Sequence, residues 1–242
     1  MLPVGLPHTL KPPEGDLHRK AKQGALSALD DFFRRAGRRI YLSSELIVFY
    51  PGEPRFVPDL IAVLDVDPHD RTRWVVDAEG KGIDFVLEVL VAGDQRKDLE
   101  LNVERYARLG IHEYFVFDRA RLRLHGYRLA PAPGPERARA TATAYQRVVP
   151  QAGHFPSAVL GLDLVLDGER LRFFAGNAPL EDADEMIARL GTMLDKVIAR
   201  EEELTARLEE ERRLREEERR LREEVDRQLA EARSELARLK SK

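Results

Sequence analysis

Two acidic residues stand inside apolar segments of this chain, where a charged side chain is costly unless it has a partner. Asp59 follows Pro58 and opens the run PDLIAVLDV, and Glu88 interrupts the run DFVLEVLV. Both runs have the composition of buried strands. An ionised carboxylate in such a setting is usually paired with a cation or bound to a metal. The two residues are therefore candidates for a site that handles charge.

Each of the two acids also has an ordinary structural explanation. An aspartate after a proline, such as Asp59, is common where a turn leads into a strand. Glu88 could instead form a buried ion pair with an arginine or a lysine. For Asp59 the two interpretations stay open, whereas for Glu88 a metal-binding interpretation is favoured over a buried ion pair.

The segments around the two acids alternate between helical and strand patterns. Residues 17–37 carry apolar side chains at helical spacing, and a second helical pattern runs from Asp94 to Leu109. Two strands joined by a Pro/Gly turn at residues 51–54, a polar loop at residues 67–82 and several further strands complete the pattern. This order predicts an α+β layered fold around a mixed sheet.

The segment 183–242 has a different composition, with no proline and a single glycine. Its sequence EEERRLR occurs twice in succession, and acidic residues precede basic ones by four positions, which stabilises a helix. We therefore predict a long charged helix that follows the folded domain.

An apolar heptad position in this helix favours a coiled coil. The residues at that position are Leu190, Val197, Leu204, Val225, Ala232 and Leu239. Glu211 and Glu218 interrupt the position in the middle, where Leu214 and Leu221 shift the apolar stripe to another position. A homo-oligomer, parallel or antiparallel, is the favoured interpretation, and a solvated single helix is the alternative.

Composition excludes several classes of protein. The formal net charge of −3 arises in residues 182–242, and a neutral remainder argues against coating of nucleic acid by bulk charge. The absence of cysteine excludes disulfides and thiolate zinc sites. No secretory signal and no apolar run of about 20 residues is apparent, so we predict a cytoplasmic protein without a membrane partner. Residues 1–16, rich in proline and glycine, are predicted to form a flexible arm.

The motifs FVPDLIAVLDV, DFVLEVL and GDQRKDLELNVERYARLGIHEYFVFD resemble those of the putative restriction endonuclease domain family in the PD-(D/E)XK nuclease superfamily. The resemblance covers about residues 17–176 and implies a restriction-endonuclease-like αβββαβ core with a mixed central sheet, followed here by the long C-terminal α-helix. It also implies that Asp59 and Glu88 bind a divalent cation. Mg²⁺ or Mn²⁺ bound by these two carboxylates, with the Val89 backbone carbonyl, would supply the charge needed for phosphodiester cleavage.

The chain departs from the family pattern at its lysine. The superfamily position two residues after Glu88 is Leu90, and the family position four residues before Tyr106 is Asn102. Lys97, at the start of the same predicted helix, is the favoured stand-in for the catalytic charge. Lys81 is a second stand-in, and the nearest further acidic candidate is Glu45.

The sequence thus predicts a Mg²⁺-dependent endonuclease that hydrolyses DNA, with Asp59, Glu88 and Lys97 as catalytic residues. The alternative is a catalytically impaired nuclease-fold module that binds nucleic acid or protein and assembles through its coiled coil. In either case Asp98, Glu104, Glu113 and Asp118 are predicted to be surface or strand-end charges, and His18 to be a surface or packing residue.

Overall fold

The computed structural model describes residues 15–91, 96–130 and 144–240, with side chains up to residue 234. The predicted N-terminal arm therefore lies almost entirely outside the described residues, as does the segment 131–143, whose sequence is rich in proline and alanine. The chain divides into two compact units, Met1–Ala183 and Asp184–Lys242. The first unit is an α+β structure with a mixed central sheet, and the second is a long helix, as the sequence predicted.

The longer helices form where the sequence has helical periodicity, and glycine ends the first of them. In α1 the apolar residues bury one face of the helix, and Gly37 adopts the left-handed conformation (φ 64°) that ends it. A π-helical turn, Lys97–Leu101, leads directly into α3. The α-helices are α1 (Asp16–Ala36), α2 (Val76–Glu79), α3 (Asn102–Arg108) and α4 (Ala183–Lys240).

The strands belong to three sheets. They are β1 (Ile40–Ser44), β2 (Ile47–Phe49), β3 (Leu60–Leu64), β4 (Arg73–Val75), β5 (Phe85–Leu90), β6 (Glu113–Asp118), β7 (Arg123–Leu129), β8 (Tyr145–Arg147), β9 (His154–Ser157), β10 (Leu162–Asp167), β11 (Arg170–Ala175) and β12 (Ala178–Pro179). The central sheet has the order β1-β3-β5-β6-β7-β8, the second has the order β12-β11-β10-β9, and β2 pairs with β4.

The central sheet changes direction at one place. β1, β3 and β5 pair antiparallel, whereas β5 and β6 are parallel and are connected through α3. A parallel connection requires such a crossover, and a helix is its usual form. The element order α1, β1, β3, β5, α3, β6 matches the αβββαβ core that the resemblance implied.

Side chains of β3 and β5 alternate between two apolar layers, as the two-residue period of a strand requires. Leu60 and Leu87 face the layer formed with α1 and the second sheet. Ile61 and Val86 face the layer that contains Trp74 and α3. The two strands are thus buried on both faces, which explains their nearly continuous apolar sequences.

The segment before β3 forms two strands where the sequence predicted one. Glu45 has φ 54°, a left-handed conformation that interrupts the extended chain between β1 and β2. As a result β2 leaves the central sheet and pairs in parallel with β4. The predicted polar loop at residues 67–82 contains β4 and α2, which are too short to give a periodic signal.

The prediction that Glu113 and Asp118 are strand-end charges is confirmed in position, but not in their exposure. They begin and end β6, but both are buried. The Glu113 carboxylate accepts hydrogen bonds from Arg128 Nε (2.6 Å), from the Ala158 N–H (2.8 Å) and from the Ser157 hydroxyl. Glu113 therefore ties the central sheet to the turn that leads into β10, a long-range role that the local sequence does not indicate.

In the second unit, α4 spans 58 residues, and its apolar side chains are exposed along the described part of the helix. None of the described helices has a stretch long and apolar enough to cross a membrane.

The buried ion pair of Glu113 should contribute far more to stability than an exposed pair of the same residue types. We expect Glu113→Ala to lower the free energy of unfolding by about 3–5 kcal/mol, because it leaves buried donors without an acceptor. Glu169→Ala, which removes the exposed partner of Arg119, should cost less than about 1 kcal/mol. Equal losses in urea unfolding of the two variants would contradict this account.

Candidate active site

The register of β3 and β5 places the two candidate acids side by side. Leu60 pairs with Leu87 in the antiparallel ladder, and the next position on each strand is Asp59 and Glu88. The Asp59 N–H donates to Glu88 Oε2 (3.2 Å), and the Val89 N–H donates to Asp59 Oδ2 (2.9 Å). Each carboxylate thus accepts a backbone hydrogen bond from the opposite strand, and both acids are buried.

Asp59 has a second partner that the sequence did not indicate. Nε2 of His18, near the start of α1, lies 2.9 Å from Asp59 Oδ2, and His18 is only partly exposed. The prediction that His18 is a surface or packing residue therefore missed its role. Nothing in the local sequence links a histidine to an acid 41 positions away, because the contact arises only when α1 packs on the sheet.

Glu88 is held by α3. The hydroxyl of Tyr106 donates to Glu88 Oε1 (2.9 Å), so both oxygens of this carboxylate accept a hydrogen bond. Tyr106 is buried, and it also orients the acid. A buried acid that is fixed on both oxygens has little freedom to rotate away from its neighbour.

A line of polar residues extends the site along the π-helical turn and α3. Asp98, Asn102 and Tyr106 follow one another at intervals of four, so they share a helix face. Asp98 is buried and accepts a hydrogen bond from Asn102 Nδ2 (3.0 Å), so the prediction that Asp98 is a surface charge is wrong. Lys97 Nζ lies 3.7 Å from Asp98, and 64% of the Lys97 side chain is exposed.

Glu45 and Lys81, the other sequence candidates, have different surroundings. The Glu45 N–H donates to the Asp59 carbonyl (3.3 Å), while its carboxylate forms an ion pair with Lys22 (2.9 Å). Lys22 is a buried lysine one helical turn after His18, and the sequence interpretation did not consider it. Lys81 contacts Asp84 and the carbonyl at the far end of β3, so it is not a stand-in at this site.

The two paired acids differ in acidity. Burial raises the pKa of Glu88 well above its usual range, and the negative charges of Asp59 and Asp98 raise it further. Burial also acts to raise the pKa of Asp59, but the hydrogen bonds from His18 and from the Val89 N–H outweigh it, so this pKa is lowered. Burial raises the pKa of Asp98 as well. The pair therefore favours one ionised and one protonated carboxyl, since two adjacent buried carboxylates repel each other.

The donor atoms of the site suit a hard cation that keeps some of its water. Among the described residues, no three His, Asp or Glu side chains group together in a way that would hold a metal by themselves. The Val89 carbonyl lies on the same edge of β5 as the Val89 N–H that bonds Asp59, because the N–H and C=O of one strand residue point in the same direction. Two carboxylates and a carbonyl are oxygen ligands that fit Mg²⁺ or Mn²⁺.

The central strands of a mixed αβββαβ sheet thus carry two adjacent acids. A sequence profile of the Uma2 family, described as putative restriction endonuclease, matches residues 8–158. This match covers more than half of the chain, and the protein belongs to that family, as the sequence motifs indicated.

Two other comparisons add little to this assignment. A crystal structure of a putative nuclease belonging to DUF820 from Anabaena variabilis has 16% sequence identity with this chain and a TM-score of 0.39. The similarity covers 50% of this chain and 74% of that one. No curated protein matches the sequence significantly.

The raised pKa of Glu88 predicts how the stability of the folded protein depends on pH. The folded protein retains a proton that the unfolded chain releases above a pKa of about 4.3, so stability decreases as pH rises past that value. Glu88→Gln imitates the protonated acid. We therefore expect its melting temperature in metal-free buffer to match wild type near pH 4 and to exceed it increasingly toward pH 8.

Scanning calorimetry across this pH range measures the difference, and Glu104→Gln on the exposed face of α3 is the control. A difference between Glu88→Gln and wild type that does not change with pH would contradict the raised pKa.

Proposed function

We propose that this protein is an endonuclease that hydrolyses DNA phosphodiester bonds with Mg²⁺ or Mn²⁺. The observation that carries the proposal is the pairing of Asp59 with Glu88 across β3 and β5, in a protein of the Uma2 family. Two adjacent buried carboxyl groups are costly to ionise together without a cation. A divalent cation removes that cost, and this is the physical reason to place one between them.

Asp59, Glu88 and the Val89 carbonyl would hold the cation. When bound, a divalent cation supplies charge neutralisation on the scissile phosphate and lowers the pKa of water. His18 and the Val89 N–H keep Asp59 ionised and oriented, and Tyr106 keeps the second carboxylate in place. Orientation matters because a carboxylate that rotates away loses both the cation and the alignment of the phosphate.

Lys97 is the proposed catalytic cation. Its side chain is exposed at the edge of the site, where a phosphate can reach it, and its charge acts to lower the pKa of Glu88. Asn102, a weaker candidate at the family's lysine position, is buried and donates its amide hydrogen to Asp98. A neutral amide in that place provides less stabilisation of a phosphate than an ammonium group.

The absence of lysine from the two expected positions supports a second candidate function. With Leu90 and Asn102 at both positions where nucleases of this class carry lysine, the protein would be an impaired nuclease that binds nucleic acid or a protein partner. The two functions differ in one measurable property, which is turnover. We further propose that residues 183–242 mediate self-association in either case, because the apolar residues along the described part of α4 are exposed.

Cleavage should depend on the paired acids. We expect purified protein to nick supercoiled DNA with Mg²⁺ or Mn²⁺, and Asp59→Ala or Glu88→Ala to lower the rate by on the order of 1000-fold. Glu104→Ala, on the exposed face of α3, should keep the wild-type rate. Equal residual activity in wild type and both acid variants would reject the nuclease function in favour of the binding module.

If Lys97 is the catalytic cation, removing it should slow cleavage, and adding a lysine at position 102 should accelerate it. Lys97→Ala should slow cleavage by about 100-fold, whereas Lys20→Ala, on the exposed part of α1, should not.

Asn102→Lys should raise the rate above wild type, because it places an ammonium between Asp98 and Tyr106 on the helix face that contacts Glu88. Asn102→Met, similar in length but uncharged, is the control. If Asn102→Lys is no faster than Asn102→Met, the missing lysine does not limit the reaction.

A further inference from the structure

The helix α4 has an apolar stripe that is exposed at both ends of its described part and interrupted by charge in the middle. In a heptad frame, the stripe occupies two core positions, conventionally a and d. Ile187, Leu194, Leu208 and Leu229 occupy position a, and Leu190, Val197, Leu204 and Val225 occupy position d. All of these side chains are exposed in the single chain.

Four charged residues continue the same frame through the middle of the helix. Glu211, Arg215, Glu218 and Arg222 occupy successive d, a, d and a positions, without any shift of register. Within the helix Arg215 pairs with Glu211 (2.5 Å) and Arg222 pairs with Glu218 (2.8 Å). The order of signs along the core is therefore minus, plus, minus, plus.

This order of charges discriminates between the two orientations of a helix pair. In a parallel pair in register, each core residue faces its own copy, so Glu211 would face Glu211 and Arg215 would face Arg215. All four central layers would then hold like charges, which oppose association. The like charges in the central layers therefore disfavour a parallel dimer, even though the ends of the helix are apolar.

An antiparallel pair gives the opposite result. If the two-fold axis crosses between residues 216 and 217, Glu211 faces Arg222 of the partner subunit, and Arg215 faces Glu218 of the partner subunit. Position a faces position d in antiparallel coiled coils, and these pairs satisfy that rule. All four central layers then join opposite charges, and each joins ions already paired within their own helix.

The same axis also matches the apolar residues. It places Leu208 opposite Val225 of the partner subunit and Leu204 opposite Leu229 of the partner subunit. Leu214 and Leu221, which lie outside positions a and d, face each other across the axis and cover the charged layers. A shift of one heptad in either direction would place two of the four central charged residues opposite apolar ones, whereas in this alignment the one such mismatch is Glu201, at position a, opposite Ala232 of the partner subunit.

We propose that α4 pairs antiparallel with α4 of a second copy of this chain, with the two-fold axis between residues 216 and 217. The proposal rests on self-association through this segment and adds its orientation and register. At a rise of 1.5 Å per residue, the two Ala183 residues at the helix starts would lie about 100 Å apart. A parallel pair would hold them side by side.

Disulfide cross-linking tests the orientation, because the chain has no cysteine of its own. We expect an equal mixture of Leu204→Cys and Leu229→Cys proteins, mixed under conditions that allow exchange and then mildly oxidised, to form a covalent dimer. Each variant alone should remain uncross-linked, since its two cysteines would lie about 37 Å apart. Cross-linking of Leu204→Cys alone would establish a parallel pair and overturn the orientation. A monomeric mass for the wild-type chain would instead overturn self-association itself.

Charge exchange tests the register with a matched control. The double variant E211R/R215E keeps the composition but makes the antiparallel layers Arg against Arg and Glu against Glu, so we expect dimer dissociation to be at least about tenfold more favourable. The quadruple variant E211R/R215E/E218R/R222E restores opposite charges in every layer and should return the dissociation constant to within about threefold of wild type. If sedimentation equilibrium gives the same constant for both variants, the charged layers do not set the register.

Discussion

The reciprocal hydrogen bonding of Asp59 and Glu88 across β3 and β5 is the interaction on which the candidate active site depends. Each acid accepts the backbone N–H that the opposite strand would otherwise use in the sheet ladder. The backbone hydrogen-bond ladder between β3 and β5 therefore ends at this point. The two carboxyl groups lie side by side where the next pair of ladder hydrogen bonds would form. A slip of one residue in the register would separate them and would turn Glu88 toward the other apolar layer.

Elements from both sides of the central sheet hold this pair. α1 provides His18 to the more acidic carboxylate, and α3 provides Tyr106 to the less acidic one. The two pKa values differ because burial and the charges of Asp59 and Asp98 raise the pKa of Glu88, whereas the donors His18 and the Val89 N–H outweigh burial at Asp59. The packing of both helices therefore holds in place two buried acids that an apolar core would avoid.

The sequence was sufficient to predict the elements with strong periodicity and to single out the two acids. Their strands have long apolar runs, and an acid inside such a run is conspicuous without any knowledge of the fold. It was not sufficient for His18 or Asp98, because each reaches the site through helix packing that no local pattern encodes. Short elements such as β4 were missed for a related reason, since three residues do not establish a period.

The most direct test of the central claim is crystallographic. A crystal soaked in Mn²⁺ should give one strong anomalous peak, about 2.0–2.6 Å from oxygens of Asp59, Glu88 and the Val89 carbonyl. Such a peak would establish that the paired acids exist to hold a cation. If the well-ordered carboxylates remain hydrogen-bonded to each other's strands with no peak between them at saturating Mn²⁺, the pair is a structural feature and the proposed metal-dependent nuclease site is wrong.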